Sequence, residues 1–269
     1  MYALAIAGES GTQRVAETLA DYLTERGKVG TITRESRERT DGGAGRGVHR
    51  SYRLSGDGDW AATGGSLSLD DALDELARTC DYAVVEGYAD VDLPTVVVGD
   101  AQVERGTVLE RVPGPDDLDV ESLVATLEDT DPYETLSSLV ERIKQSADEE
   151  FSGAIATFTG RVRAKEHEDD APTEYLEFER YDAVAEERMA RIKSELESRE
   201  QVYEVLLYHK TGVVEAGEDI VFVVVLAGHR DQAFRTVEDG INRLKEEVPL
   251  FKKEVTVDDE FWAHTGRTE

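Results

Sequence analysis

The sequence predicts an α/β domain with a P-loop-like parallel sheet, followed by an α+β domain with a mostly antiparallel sheet. Within residues 1–112, short apolar runs alternate with helical patterns, which is typical of a parallel sheet. Within 133–269, four strand-like runs and three helical patterns follow in an order that favours antiparallel pairing. The proline-rich break after Val112 predicts a linker over 113–132.

In the first domain, apolar runs predict strands at 2–7, 29–33, 82–85 and 95–98. Apolar residues at helical spacing, Val15, Leu19 and Leu23, predict a helix directly after the first strand. A second helix is predicted at 69–76. Residues 35–66 are polar and rich in glycine, which predicts a long loop.

In the second domain, strands are predicted at 153–162, 174–180, 202–208 and 219–226. Helices are predicted at 136–143, 183–198 and 232–247. The strand at 219–226 is almost entirely apolar, so we expect it to be buried on both faces. Pro249 ends the last helix.

The chain is strongly acidic, with 59 Asp and Glu against 30 Lys and Arg and a formal net charge of −29. Such a surface repels the phosphate backbone of nucleic acids and anionic membranes, so neither is expected as a partner. The acids are spread over both domains, which indicates adaptation to a high-salt cytoplasm where repulsion is screened. An ordinary acidic protein is the alternative.

The chain has one cysteine, Cys80, and five histidines that are scattered along it. This excludes an intrachain disulfide and a cysteine-rich metal site, and no metal is expected. No window is long and apolar enough for a transmembrane helix. The N-terminus lacks the basic segment of a signal peptide, so a cytoplasmic location is expected.

Basic residues are rare in this chain, and in the second domain they gather at strand ends: Arg161, Arg163, His209, Lys210, His229, Arg230, Lys245, Lys252 and Lys253. If these positions converge, they form a cationic pocket for a phosphate or a carboxylate. Each residue also has a structural explanation. Lys245 suits the last turn of a helix, and His229 suits a helix start.

Several ordered motifs carry a family resemblance: FTGRVR at 158–163, LEFERY at 176–181, HKTG at 209–212, HRDQAF at 229–234, LKEEVPLFKKE at 244–254, and Trp262. Together they resemble the large, catalytic subunit of molybdopterin synthase over the whole second domain. The family usually has arginine where Lys210 stands and often methionine where Ile241 stands.

The resemblance implies a sulfurtransferase that needs no cofactor. A ubiquitin-like sulfur carrier, the small subunit, inserts its thiocarboxylate tail, and sulfur passes to cyclic pyranopterin monophosphate to give the dithiolene of molybdopterin. Lys245 and Lys252 match the lysines of the reaction centre. The residues that match the substrate pocket are Phe158, Arg163, His229 and Arg230. The family pairs as dimers, and Arg267 is the nearest match to an arginine that reaches the neighbouring site.

The segment GESGTQRV at 8–15 lies between a predicted strand and helix, where a phosphate-binding loop belongs. Gln13, Arg14 and Val15 stand where a Walker A motif has glycine, lysine and a hydroxyl, which argues against ordinary nucleotide hydrolysis. The candidate nucleotide-binding residues are Gly8, Gly11, Arg14 and Glu86.

GTIT at 30–33, DYAVVEGY at 81–88 and Pro94 resemble the P-loop adaptor of molybdopterin-guanine dinucleotide biosynthesis. That resemblance implies GTP and magnesium as ligands, and a degenerate scaffold without nucleotide is the alternative. For the whole chain, two alternatives to the synthase stay open. One is a non-catalytic adaptor for cofactor maturation, and the other is a GTPase with a substrate-binding tail.

Overall fold

The computed structural model describes residues 1–34, 49–57, 59–88, 90–257 and 260–264. The chain divides into two compact units, Met1–Glu134 and Thr135–Glu269. Among the described residues, no helix is both long and apolar enough to cross a membrane.

The first unit is built on a five-stranded parallel sheet; the parallel sheet and four of its strands were predicted, and the strand at 108–112 was not. Its strands are β1 (Tyr2–Gly8), β2 (Val29–Thr33), β5 (Tyr82–Glu86), β6 (Thr95–Val98) and β7 (Val108–Val112). They lie in the order β2-β5-β1-β6-β7, and every neighbouring pair is parallel. The predicted 35–66 loop instead contains an antiparallel hairpin, β3 (Arg50–Leu54) and β4 (Trp60–Gly64). Residues 35–48 and 58 of that prediction lie outside the described residues.

Helices cover both faces of this sheet: α1 (Thr12–Thr24), α2 (Leu69–Ala77) and α3 (Val120–Glu128). Alternate residues of β1 point to opposite faces, so Leu4 and Ile6 pack with α1 and α3 while Ala3 and Ala5 pack with Leu73 of α2. The strand is therefore buried on both sides, which explains why its sequence is apolar throughout.

The predicted linker over 113–132 needs correction. It contains a single 3-10 turn at Pro115–Asp117 and then α3, whose side chains Leu123, Val124 and Leu127 are buried in the core of the first unit. Because these residues share a core with Val112, the first unit continues to Glu134 and the second begins at Thr135. The sequence does indicate a short amphipathic segment here, with Leu118, Leu123 and Leu127, but its assignment to a linker was wrong.

The second unit contains two antiparallel sheets, in agreement with the predicted fold class. The first sheet has the order β10-β12-β8, with β8 (Ala154–Arg161), β10 (Val202–His209) and β12 (Asp219–Ala227). Helix α4 (Leu136–Ile143) packs on one face of this sheet. The helices α5 (Asp182–Glu197) and α6 (Arg230–Glu247) pack on the other. The buried strand β12 is central, as its continuous apolar sequence indicated.

The second sheet has the order β11-β9-β13-β14. Its strands are β9 (Thr173–Arg180), β11 (Gly212–Glu215), β13 (Leu250–Thr256) and β14 (Glu260–His264). Three of them, β11, β13 and β14, were not predicted, because β11 and β14 are short and β13 has three consecutive charged residues at its centre. Leu176 and Phe178 of β9 and Leu250 of β13 pack into the same core as α5 and α6.

Candidate functional site

Helix α6 carries Lys245 to one end of the β10-β12-β8 sheet. The helix runs back along β12, and Gly240 approaches the sheet so closely that a Cβ there would lie 3.0 Å from Cγ1 of Val223 and 3.8 Å from Cδ2 of Leu207. Lys245 is five residues further along, about 7 Å at helical rise. It is therefore exposed in the last turn of α6, at the sheet end where β10 finishes.

Lys252 lies on the inward face of β13. It is directly opposite Phe178 of β9, and residues opposite one another in an antiparallel pair point to the same side. Its ammonium nitrogen is 3.2 Å from Oε2 of Glu254. The other oxygen of that carboxylate accepts a 2.6 Å hydrogen bond from the hydroxyl of Thr173. Lys252 is thus held in place by a carboxylate that is itself anchored to a neighbouring strand.

His209, the last residue of β10, contacts Phe178, the residue opposite Lys252, and stands at the sheet end where the last turn of α6 places Lys245. It is 7% exposed, and its ring meets Phe178 edge-on with 4.8 Å between centroids. Nδ1 donates a 2.6 Å hydrogen bond to the backbone carbonyl of Lys210. Burial lowers the pKa of His209 to about 4, and the charges of Arg180 and Lys245 act in the same direction, against the carbonyl of Lys210, which raises it. The imidazole is therefore neutral at neutral pH.

From the sequence, His209 was identified as one of the basic residues at strand ends and as part of the HKTG motif, but not as a site residue. A signal for its burial was present, since it continues the alternation of Val205 and Leu207 on the helix-facing side of β10. Ionisable residues on the core-facing side of a strand end are easily overlooked, because the alternation of apolar residues does not distinguish them from surface residues.

Phe158 and Arg163 come from β8 and the segment after it. Phe158 is opposite Val223 in the sheet and packs against the core on the α6 side. Arg163 follows the end of β8, is exposed, and pairs with Glu166 at 3.0 Å. Because Arg161 of β8 is opposite Asp219 and His209 of β10 is opposite Val221, Arg163 is at the same end of the sheet as His209.

His229 and Arg230 lie at the opposite end of the sheet. They begin α6, fifteen residues before Lys245, which is a separation of about 22 Å along the helix. There they line an open depression of about 580 Å³ together with Gly153, Gly228 and Asp231. The predicted cationic pocket is therefore divided between two places in one copy of the chain. Arg267 lies outside the described residues.

In the first unit, three residues join β1 to α1 where the phosphate-binding loop was predicted. Gly11 has a positive φ of 80°, and a Cβ on it would lie 3.1 Å from the ring of Pro115. At Gly8, a Cβ would lie 2.8 Å from the carbonyl oxygen of Val98. Both glycines thus serve close backbone packing in this unit.

The two charged candidates for nucleotide binding have partners within the first unit. Arg14 forms a 2.5 Å ion pair with Asp116. Glu86 accepts a 2.7 Å hydrogen bond from the hydroxyl of Thr12. Across the described part of the chain, no group of three or more His, Cys, Asp or Glu side chains is arranged to hold a metal ion.

A family model described as "MoaE protein" matches residues 128–247. A Haloferax volcanii protein named "Probable molybdopterin synthase" is 50% identical over 98% of this chain and 99% of its own length. The molybdopterin synthase catalytic subunit of Pyrococcus abyssi is 36% identical over 43% of this chain and 77% of its own. The catalytic subunit of Staphylococcus aureus is 34% identical over 49% of this chain and 85% of its own length.

Among solved structures, molybdopterin synthase from Staphylococcus aureus is 36% identical and covers 42% of this chain and 82% of its own, with a TM-score of 0.40. Bacillus subtilis MobB is 16% identical and covers 48% of this chain and 100% of its own, with a TM-score of 0.35. Both TM-scores are below 0.5, so neither structural similarity supports a conclusion about the site. The match to the Haloferax protein, however, extends over both units, and the chain belongs to the molybdopterin synthase family.

Proposed function

We propose that the second unit catalyses the synthase reaction of molybdenum cofactor biosynthesis. In two successive transfers, one sulfur atom each time passes from the C-terminal thiocarboxylate of a ubiquitin-like carrier to cyclic pyranopterin monophosphate, and the two together give the dithiolene of molybdopterin. Water releases the carrier each time, with its C-terminus as a carboxylate. The observation that carries this proposal is that Lys252 lies opposite Phe178, whose ring contacts His209, while the last turn of α6 places Lys245 at the same end of the β10-β12-β8 sheet as His209. Two lysines from different elements thus lie at one end of the unit.

The charges of this site suit the proposed reaction. The thiocarboxylate is an anion, the substrate carries a phosphate, and negative charge develops on the carrier's carbonyl oxygen as sulfur leaves. Ammonium groups that are already in place stabilise such charge without reorganisation. Lys252 is positioned for this role by Glu254, and Lys245 by its place on α6. In this proposal the reaction needs no cofactor.

We further propose that the active form is a homodimer in which a second copy completes the site. Within one chain, His229 and Arg230 are about 22 Å along α6 from Lys245, too far for a single small substrate to touch both. A symmetric dimer brings residues from opposite ends of a subunit together. His229 and Arg230, with Arg163 and Phe158, then bind the substrate. Arg267 stays a candidate for the same role.

The test is conversion of cyclic pyranopterin monophosphate by the full chain with a thiocarboxylated carrier in high-salt buffer. We expect Lys245→Ala to lower the rate at least about a hundredfold, because an electrostatic group at the reacting centre is lost. Lys193→Ala is the matched control, since Lys193 is on α5 and pairs with Glu197. Near wild-type conversion by Lys245→Ala would remove this lysine from the centre. Absence of product from the wild type would favour the non-catalytic adaptor.

For the first unit we propose a scaffold that binds no GTP or magnesium, in a protein of the cytoplasm. The short connection between β1 and α1, and the partners of Arg14 and Glu86, support this. A phosphate-binding loop needs several free backbone N–H groups around the phosphate. Titration of the full chain with Mg-GTP should show no saturable heat up to millimolar ligand. Saturable micromolar binding that Arg14→Ala abolishes would restore the nucleotide-binding hypothesis.

A further inference from the structure

We propose that Phe151 and Tyr203 bind the pterin ring of the substrate, at the depression where α6 begins. Phe151 stacks on the flat pyrimidinone ring, and the hydroxyl of Tyr203 forms a hydrogen bond with a polar atom at its edge. The inference rests on the proposed function, in which His229 and Arg230 of the same depression bind the substrate. It adds two residues that lie outside all of the family motifs in the sequence.

The hydroxyl of Tyr203 lies beside the depression. Two of the residues that line it are Gly153 and Gly228. A Cβ on Gly228 would lie 3.3 Å from the hydroxyl oxygen of Tyr203, and a Cβ on Gly153 would lie 2.5 Å from the carbonyl oxygen of Gly228. Side chains at these two positions would therefore fill the space next to Tyr203, and glycine keeps it open for a ligand.

Phe151 extends this side of the depression with an exposed aromatic ring. It is two residues before Gly153 in the chain, and its ring centroid is 6.5 Å from that of Tyr203, with 44° between the ring planes. Phe151 is 61% exposed, and the hydroxyl of Tyr203 forms no hydrogen bond within the described part of the chain. An aromatic ring face and a polar group are thus available to a ligand on the same side.

The depression has two sides of different chemistry. Helix α6 packs on one face of the β10-β12-β8 sheet and contributes His229 and Arg230, whereas Tyr203 packs with α4 on the other face. Arg230 and Asp231 form only a weak ion pair, because their side chains are 83% and 74% exposed, so Arg230 can bind a phosphate. Cyclic pyranopterin monophosphate carries a phosphate and a flat ring with N–H and carbonyl groups. These two parts match a cationic side and an aromatic side.

Binding of the two parts of the substrate as separate molecules tests this assignment without catalysis. Pterin, which fluoresces and has no phosphate, is titrated with the full chain, and inorganic phosphate is titrated separately by calorimetry. We expect Phe151→Ala to weaken pterin binding about tenfold, because a stacking contact is lost. We expect Tyr203→Phe to weaken it about fivefold, because a hydrogen bond is lost. Neither variant should change the binding of phosphate, which Arg230→Ala should weaken.

Tyr52→Phe is the matched control for the binding measurements, since Tyr52 is an exposed tyrosine of the first unit. It should bind pterin as tightly as the wild type. Three outcomes would overturn the inference: no saturable binding of pterin by the wild type, equal affinity for pterin in the wild type and Phe151→Ala, or an equal loss of pterin and phosphate binding in Phe151→Ala.

The kinetics of the synthase reaction separate this inference from the proposed function. Phe151→Ala and Tyr203→Phe should raise KM for cyclic pyranopterin monophosphate about tenfold and about fivefold and leave kcat within about threefold, because the ring is held equally in the ground state and the transition state. KM for the carrier should not change. If the wild type makes no product while pterin binding depends on Phe151, the proposed function fails and the pterin site stands. If the wild type is active and Phe151→Ala changes neither pterin binding nor KM, the function stands and this inference fails.

Discussion

The ammonium group of Lys252 lies 3.2 Å from the carboxylate of Glu254, two residues along the same face of β13. Both side chains are about a quarter exposed, at 26% and 22%, so solvent screens the pair only in part. Thr173 on β9 holds the second carboxylate oxygen. The three residues therefore connect two strands of the sheet and fix the direction of one lysine of the proposed site.

Replacement of Glu254 by glutamine should reveal this connection. The amide keeps the shape of the side chain and a hydrogen-bonding atom for Thr173, but it loses the charge that attracts Lys252. We expect kcat for molybdopterin formation to fall about tenfold and the free energy of unfolding to fall by about 1 kcal/mol. Steady-state assays and urea denaturation in high salt measure the two effects.

Lys253→Met is the control for the Glu254 variant. Lys253 is the next residue on β13, opposite Glu177, and so is on the other face of the strand. The Lys253→Met variant should have a kcat within about twofold of the wild type, because residues on that face of β13 do not point into the proposed site. If Glu254→Gln also leaves kcat unchanged, the carboxylate has no part in orienting Lys252.

The buried imidazole of His209 makes a prediction about stability and pH. Its pKa is about 4 in the folded chain and 6.5 in the unfolded chain, so below pH 6.5 the unfolded state binds the proton more readily. The stabilisation is complete above pH 6.5 and is lost progressively as pH falls towards 4, by up to about 3 kcal/mol. The free energy of unfolding of His209→Gln should fall less steeply across this window. If the free energy of unfolding falls with pH equally steeply in the variant and the wild type, His209 is not buried as a neutral imidazole.

The fold class was predictable because the central strands of the main sheets carry their own signal. β1 and β12 are almost entirely apolar, which is typical of strands that are buried on both faces. β13 gave no such signal, since three charged residues, Lys252, Lys253 and Glu254, follow one another at its centre. Its place in the sheet comes from pairing with β9, which is a long-range contact that no local pattern contains.

The sequence identified candidate site residues but not their arrangement in space. The basic residues at strand ends were identified, yet their separation follows from the length of α6, which puts Arg230 at one end of the sheet and Lys245 at the other. The edge contact of His209 with Phe178 was not predictable, because it joins residues of two different sheets. Such packing is a tertiary property.

The revised boundary of the first unit predicts which fragment folds. A fragment ending at residue 134 keeps α3, whereas one ending at 112 exposes the apolar surface that Leu123, Val124 and Leu127 cover. Each of these side chains contributes about 1.5–3 kcal/mol when fully buried. We expect 1–134 to unfold cooperatively in urea and 1–112 to lack a cooperative transition. If both unfold with the same midpoint, α3 is not part of the core.

Subunit complementation tests the proposed dimer. Lys245→Ala and Arg230→Ala should each abolish conversion alone, because each homodimer has the same defect in both of its sites. In a mixed dimer, one site receives Lys245 from the Arg230 variant and Arg230 from the Lys245 variant, and so is intact. Random exchange makes half of the dimers mixed, each with one intact site, so about a quarter of wild-type activity should return. Mixing without subunit exchange, at a temperature where dimers do not dissociate, is the control. No recovery of activity from verified mixed dimers would contradict a site shared between two chains. Lys245 and Arg230 would then have to act within one chain, although they are about 22 Å apart along α6 and one small substrate cannot touch both.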